Sequence, residues 1–421
     1  MKVTIVGIGM GDGLTLTQEA RQAIGAAELL IGAPRMIDAV SSYRSADSAH
    51  VEAIRTAEIR EALDRSTVAR ACVLCSGDTG FYSLATTLRE ALAGYEVETL
   101  PGITTVQYLA SRIGRPWQGC TLVSAHGLSC NVLGQVLAHR ETFFLTGGEV
   151  TPESIVKTLL AAGLGALEMT VGERLSYPDE CIATDCVSAF AGRTFDTLSS
   201  VWIRRGELRD AEVAALPLLA GGIPDEAFIR GKAPMTKQEV RACVIAKLGV
   251  RADDVFYDVG AGTGSVSVEL ALASPFDTVY AVEADHDAFS LIEENRIRFG
   301  AYNICPVEGF APEALDALPM PDAVFVGGSK GNLDCIVGTV LEKNPRVRIV
   351  VSAIAMETVA EAQMLFKRLA SEGVIADAEV TQVSVSRTRA LGSYHLMSAQ
   401  NPIMLFSTHG IAAGSGEEAD A

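Results

Sequence analysis

The chain has 421 residues, 48% of them hydrophobic, and its 34 Lys and Arg against 52 Asp and Glu leave a net charge of −18. At roughly 100–200 residues per domain this length predicts two domains, and the apolar content excludes wholesale disorder. The charge excludes a broad basic surface that would coat nucleic acid or an anionic membrane, so an anionic substrate needs a local basic cluster set against the global field.

The first half alternates short apolar strands with helical segments. Strands are predicted over residues 3–7, 71–75, 96–100, 121–124, 141–145, 167–171 and 199–204, and helices over 17–27, 83–92 and 152–162, the last with Pro152 in its first turn. Such alternation implies an α/β architecture with a largely parallel sheet. Met1 runs straight into the strand-like Val3–Val6 without a leader, and the nine cysteines are scattered; together these predict a reduced, cytoplasmic setting. Cys72 and Cys75 lie inside an apolar run and read as buried strand cysteines. No His/Cys cluster stands at metal-ligand spacing, so no metal is expected. No stretch approaches the ~18 apolar residues of a membrane span.

Residues 207–221 lose the alternation and read as a linker between domains at 1–206 and 222–408. A second α/β series follows. It opens with a helix over 236–248, with Thr236 as N-cap and Glu239 completing a capping box. Strands are predicted over 255–259, 278–282, 323–326 and 348–352, helices over 265–273, 287–299 and 356–371, and closing strands over 377–384 and 403–407. The tail 409–421 has no apolar periodicity and is predicted to be disordered.

The strongest motif is Asp258-Val259-Gly260-Ala261-Gly262-Thr263-Gly264-Ser265, a strand running through a glycine loop into a helix. Its glycines let the backbone turn sharply and let a ligand approach the main chain without meeting a Cβ. The dinucleotide fingerprint G-x-G-x-x-G needs its third glycine where Ser265 stands, which opposes a nicotinamide-dependent oxidoreductase. Glu283, at the end of the next strand, is placed to accept both ribose hydroxyls of a nucleoside, so the pair predicts S-adenosylmethionine at the carboxyl ends of the strands. The stretch Glu308–Glu313, including Ala311, can lie against the adenine. Gly327-Gly328-Ser329-Lys330 ends the fourth strand, where a methyl acceptor must come close and small residues are needed. Arg230, Lys232, Lys237 and Arg241, with Lys330, Arg387 and Arg389 from later loops, form the candidate basic cluster for an anionic substrate.

The N-terminal half carries a different set. Gly7–Asp12, Ser76-Gly77-Asp78-Thr79-Gly80-Phe81-Tyr82 and Leu100–Gln107 are three strand-end loops dense in Gly, Ser, Thr and Asp, as a polar cofactor site requires.

These three loops and their order resemble the tetrapyrrole (corrin and porphyrin) methylases. Ser124-Ala125-His126-Gly127 and Gly172-Glu173-Arg174-Leu175-Ser176-Tyr177-Pro178-Asp179-Glu180 resemble the CbiE branch in particular. The second half, from Gly222–Phe228 through Pro234–Arg241 to the glycine loop and Gly327-Gly328-Ser329, is similar to CbiT. Fused in this order, the two resemble the bifunctional decarboxylating precorrin methyltransferases. That resemblance implies a two-lobed tetrapyrrole methylase fold followed by a Rossmann-like class I methyltransferase fold, with one S-adenosylmethionine site in each. It implies methylation of a tetrapyrrole at C5 by the first domain and at C15 by the second, which also decarboxylates the C12 acetate to give precorrin-8, and a homo-oligomer, with a tetramer plausible from the relatives. It carries over Gly77, Asp78, Gly80, Phe81, Thr104 and Thr105 in the first domain, and Thr236, Gly260–Gly264, Glu283 and Ala311 in the second, as cofactor contacts. Thr79 departs from the proline usual in the first-domain loop, and Thr104-Thr105 from a commoner Ser pair. Asp12 and His126 are the candidate proton partners in the first domain. A reading of another class makes one domain a non-catalytic binding module; a single cofactor site per chain would distinguish it.

Overall fold

Val3, Ile5 and Val6 are fully buried in strand β1 (Lys2–Gly7), and Ala71–Cys75 likewise in β4 (Arg70–Cys75). Runs apolar on both faces suit a parallel sheet covered on both sides. The remaining strands of this sheet are β2 (Leu29–Gly32), β3 (Ala49–Glu52) and β5 (Glu96–Leu100), in the order β3-β2-β4-β1-β5, with every neighbouring pair parallel. The computed structural model describes residues 1–124, 130–214 and 222–411. It divides into two units, Met1–Val132 with His139–Arg205, and Leu133–Ala138 with Gly206–Ala421.

In unit 1, Gly7 pairs with Cys75 and Val6 with Leu100, so the loops after β1, β4 and β5 leave one edge of the sheet side by side. A second sheet holds β6 (Thr121–Ser124), β7 (Glu141–Leu145), β8 (Glu168–Glu173), β9 (Cys181–Cys186) and β10 (Ser199–Arg204), ordered β6-β7-β10-β8-β9. Only β6 and β7 run parallel here; β10 is antiparallel to both its neighbours, and β9 to β8. The parallel arrangement expected for the whole first half therefore holds for the first sheet alone. Short connections such as 174–180 leave no room for the helical crossover that a parallel pair needs. Cys72 and Cys75 are buried, and burial pushes the Cys72 thiol up to about 12, which leaves it inert.

Unit 2 is built on a seven-stranded sheet. Its strands are β11 (Val255–Val259), β12 (Thr278–Glu283), β13 (Ile304–Glu308), β14 (Ala323–Val326), β15 (Arg348–Ala353), β16 (Glu379–Val383) and, after a separate hairpin of β17 (Ser386–Leu391) and β18 (Tyr394–Ala399), β19 (Ile403–His409). The order is β13-β12-β11-β14-β15-β19-β16; the first five are parallel, and β19 is antiparallel to β15 and β16. The chain builds outward from β11 to β13 and then restarts on the other side at β14. The crevice beyond the carboxyl ends of β11 and β14 is thus the switch point where open α/β sheets hold ligands.

Differences from expectation at the opening helix, the linker and the tail bear on the extent of unit 2. The helix begins at Gln238, not Thr236, and Lys237 is its N-cap without a side-chain cap; the buried Asp225 takes the Gln238 N–H at 2.9 Å, while Glu239 turns away to Arg387. Within the predicted linker, Ala211–Ala214 is a helical turn with Val213 in the unit 2 core, and Asp210 and Glu212 pair with Arg298; residues 215–221 lie outside the described residues. At the other end β19 includes His409, and the N–H groups of Gly410 and Ile411 donate to Val347 and Val374, so the sheet runs past the predicted start of the tail.

Candidate functional sites

In unit 2 the glycine loop is shaped by two close approaches. A Cβ on Gly260 (φ +73°) would lie 2.7–2.8 Å from the backbone of Gly328, and one on Gly262 (φ +58°) would lie 2.7 Å from the Pro234 carbonyl. The loop after β11 is therefore pressed against the loop after β14 on one side and against residue 234 on the other. Glu283 accepts the Gly262 N–H at 2.8 Å through one carboxylate oxygen, and the Ala284 and Asp285 N–H groups at 2.9 Å through the other. It thus locks the end of β12 to the glycine loop. Asn295 completes the frame by bonding both Ile229 and the Thr263 carbonyl. Directly behind, Asp258 is fully buried and accepts from Ser267 Oγ; burial pushes its carboxyl up to about 6.

The resulting cleft is lined by Gly260, Glu283, Ala284, Phe310, Ala311, Gly328, Ser329, Lys330 and Asn332, on a floor of Val259, Val282 and Ile336. A Cβ on Gly328 would meet nothing within 4 Å, so this glycine keeps space open rather than relieving a clash. Lys330 lies 5.0 Å from the Phe310 ring centre, a cation held over an exposed aromatic at the rim. A carboxylate fixed by three amides, an open floor and an aromatic rim suit a nucleoside with a cationic arm, which S-adenosylmethionine is.

Of the expected cofactor contacts, Gly260, Glu283 and Ala311 line the cleft. Ala261 and Gly262 shape the loop through backbone bonds to Val282 and Glu283. Thr263 and Gly264 are buried, with Gly264 against Ile292 and the Thr263 carbonyl bonded to Asn295, and neither lines the cleft. Thr236 presents its carbonyl to Arg241, not to the cleft. Gly327 lies against the Phe325 ring, and Gly328, Ser329 and Lys330 are the part of that loop that lines the cleft.

The basic cluster does not converge as expected. Arg241 is completely buried, paired with Asp225 at 2.9 Å and Glu269 at 2.8 Å, bonded to the carbonyls of Thr236 and Ile223, and stacked on Phe228. It is a core ion-pair hub and does not line the cleft. Arg387 grips Glu239 with two nitrogens and Asp225 with a third, tying β17 to the start of the helix Gln238–Leu248. Arg230, Lys232 and Arg389 are exposed and Lys237 is half-buried; none of the four forms an ion pair among the described residues, and only Lys330 of the whole set lines the cleft.

Unit 1 assembles its three loops through glycine as well. A Cβ on Gly102 would lie 2.2 Å from the Gly77 carbonyl and 2.8 Å from Gly7, and Gly9 and Gly77 exchange backbone hydrogen bonds at 3.1 and 2.7 Å. Asp78 ties the loops together, one oxygen accepting the Gly80 N–H at 2.8 Å and the other the Gly102 N–H at 2.9 Å. Thr104 caps the helix Thr105–Arg112 in a capping box with Gln107. Asp78 and Thr104 therefore brace these loops. Gly77, Phe81 and Thr105 line a cleft of ≈ 320 Å³ that opens between the two sheets, whereas Asp78, Gly80 and Thr104 do not line it.

Arg35, Thr146, Ser199 and Ser200 also line this cleft and carry no motif in the sequence. Ser76 joins them from the loop after β4, and Arg174 and Tyr177 from the GERLSYPDE stretch after β8. Asp12 caps the turn Gly13–Thr15 by accepting the Thr15 N–H at 3.2 Å and does not line the cleft. His126 lies outside the described residues. Among the described residues no cluster of His, Cys, Asp and Glu is arranged to hold a metal, and no helix is long and apolar enough to cross a membrane.

Comparison with known proteins matches residues 2–189 to the tetrapyrrole (corrin/porphyrin) methylases and residues 226–409 to the precorrin methyltransferase domain. A precorrin-6Y C(5,15)-methyltransferase [decarboxylating] from Sinorhizobium sp is 30% identical over 341 residues, 81% of this chain and 81% of the relative. A probable cobalt-precorrin-6B C(15)-methyltransferase (decarboxylating) from Pyrobaculum calidifontis is 40% identical over 196 residues, 46% of this chain and 98% of its own. The crystal structure of a precorrin-6Y C5,15-methyltransferase from Geobacter metallireducens GS-15 shares 35% identity over 46% of this chain and 98% of that one, with a TM-score of 0.43. With both halves matched in order and one relative spanning most of the chain, the protein belongs to the family of decarboxylating precorrin-6Y C5,15-methyltransferases.

Proposed function

We propose that the chain is a bifunctional enzyme of cobalamin biosynthesis that methylates a precorrin-6Y-type tetrapyrrole twice and removes one carboxyl group. Unit 1 serves C5; unit 2 serves C15 and decarboxylates the C12 acetate, giving precorrin-8. The observation that carries this reading is the presence of two separate strand-end clefts, one in each unit, each built from glycine loops braced by a carboxylate. In each, S-adenosylmethionine supplies a methyl group on a sulfonium. We assign functional domains to 1–206 and 222–408 and a cytoplasmic setting, with no nucleic-acid or membrane partner.

The chain's own residues orient and shield. In unit 2, Glu283 offers the free lone pairs of its amide-held carboxylate to a ribose, and Gly328 leaves room for the acceptor carbon. Lys330 at the rim offers a cation to a substrate carboxylate. The partly reduced macrocycle supplies both the nucleophilic carbon and the delocalisation that accepts the electron pair left by carbon dioxide, so alignment is the protein's main contribution.

The hairpin β17–β18 supports a homo-oligomer, which we take to be a tetramer. Every residue of β18 is exposed, including Tyr394, Leu396 and Met397; two strands paired only with each other are marginal in water unless covered. The test of the reading is incubation with precorrin-6Y and isotopically labelled S-adenosylmethionine, followed by mass spectrometry. Two methyls gained and one carbon dioxide lost are expected, together with two S-adenosylhomocysteine sites per chain by calorimetry. One site, or one methyl, would overturn it.

A further inference from the structure

Every basic residue considered for the substrate from the sequence lies in unit 2, yet the unit 1 cleft contains two guanidinium groups of its own. Arg174 is engaged by Asp179 at 2.6 Å and Asp196 at 3.6 Å. Arg35, in the short helix Pro34–Ala39 that follows β2, is not. It is half-buried on the cleft wall and pairs with no carboxylate among the described residues. Its hydrogen bonds are to two hydroxyls, Ser76 Oγ at 3.1 Å and Tyr177 Oη at 3.4 Å. A guanidinium carries five N–H donors, so most of its capacity is free. In a chain where acids outnumber bases 52 to 34, a half-buried arginine facing a cleft without an acid is an exception that needs a reason.

The surroundings hold that guanidinium in place. Ser76 comes from the loop after β4 of the first sheet and Tyr177 from the segment after β8 of the second, so the two contacts fix Arg35 from both walls of the cleft. Tyr177 reaches in because Gly11 has no Cβ; one built there would lie 2.2 Å from the phenol oxygen. Its ring is held from the other side by Arg174, 5.0 Å from the centroid. Arg174 (φ +49°) and Ser176 (φ +70°) both take the left-handed conformation that non-glycine residues avoid. Such local strain persists only where surrounding contacts enforce it.

We infer that Arg35 is the carboxylate anchor of the unit 1 cleft, gripping a carboxylate of the bound ligand, with Tyr177 as its positioning residue. The inference rests on the proposed role of unit 1, whose two ligands both carry carboxylates: the acetate and propionate arms of the tetrapyrrole, and the methionine arm of the cofactor. Removing one desolvated charge-assisted contact weakens binding by about 10–100-fold.

The experiment uses the full chain with Arg35→Ala and Arg35→Gln, the second retaining a donor for Ser76 and Tyr177 while removing the charge. Tetrapyrrole affinity is read by absorbance titration independently of turnover, S-adenosylhomocysteine affinity by calorimetry, and methyls gained by mass spectrometry. A loss of about 10–100-fold in tetrapyrrole affinity, with the unit 1 methyl lost and the unit 2 methylation and decarboxylation retained, supports the inference and assigns the carboxylate to the substrate. A comparable loss of S-adenosylhomocysteine affinity at one of two sites supports it and assigns the carboxylate to the cofactor. Wild-type affinities for both ligands in Arg35→Gln, with an unchanged melting temperature, overturn it. If the wild-type chain itself gains only one methyl, the reading of unit 1 fails, while the affinity comparison still decides the role of Arg35.

Discussion

Arg241 stands five residues into a segment that begins with Thr236-Lys237, in a stretch rich in exposed bases, yet its guanidinium lies at the centre of unit 2 between Asp225 and Glu269. Glu269 also accepts the N–H groups of Gly222 and Ile223, and Asp225 takes a second cation in Arg387, so Arg241 bridges two carboxylates that together fix the entry segment 222–225 and the start of the helix Gln238–Leu248. Breaking a buried pair from one side leaves uncompensated charge in a low-dielectric core, at a cost of about 3–5 kcal/mol. Arg241→Ala should therefore lower the unfolding free energy of unit 2 by about that amount in urea denaturation. Loss of tetrapyrrole affinity at unchanged stability would refute the structural role. Sequence spacing placed Arg241 with its basic neighbours because spacing does not report burial. The legible clue was its partner: Glu269 sits in Ser265–Ala273, a helix otherwise of Ser, Val, Leu and Ala, and an acid on so apolar a helix calls for a buried cation.

At the level of loops, two glycines that look alike in sequence do opposite work. Gly260 is required by the fold: its φ of +73° disfavours any L side chain, and a Cβ would overlap the Gly328 backbone. Gly328 has no such conflict, and a methyl there projects only into open space. Gly260→Ala should destabilise unit 2, by about 1–2 kcal/mol from the left-handed backbone alone. Gly328→Ala should melt like wild type while slowing C15 methylation by an order of magnitude or more, because a 1 Å misplacement of the acceptor costs on the order of 100-fold. Thermal melts beside methyl-transfer rates separate the two; equal melting temperatures for both variants would refute the distinction. The strands of the switch point were legible, since β11 and β14 have the predicted bounds and β12 extends by one residue to take in Glu283. Strands β2 and β9 and the hairpin β17–β18 were not. Leu29–Gly32 follows the helix Gln18–Ala26 after only two residues, so its apolar run is not set off from the helix, and β17 is exposed and polar, so neither burial nor alternation marks it. The unit 1 cleft was half legible for a related reason: glycine loops announce one wall, but Arg35, Thr146 and Ser199 come from the ends of other elements and share no local motif.

For the whole molecule, a charge of −18 leaves a polycarboxylate substrate few cations to meet, and the ion pairs remove Arg241 and Arg387 from that set. What Arg387 does instead bears on assembly. Its grip on Glu239 and Asp225 fastens the base of a hairpin whose strands pair only with each other. Opposite residues of an antiparallel pair share a face, so the register Leu391↔Tyr394 and Arg389↔Leu396 gathers Leu391, Tyr394 and Leu396 on one side, each more than half exposed. A fixed base with an apolar, uncovered tip fits the proposed homo-oligomer, because an unpaired edge offers backbone donors and acceptors to an identical strand. Leu391→Lys combined with Leu396→Lys should place like charges across that contact and halve, or further reduce, the mass measured by light scattering, while single-turnover methylation at unit 2 persists because its cleft is lined from β11, β12 and the loops after β13 and β14. A wild-type chain already monomeric at micromolar concentration, or a double variant of unchanged mass, would remove the hairpin from the assembly and leave its exposed apolar face without a role.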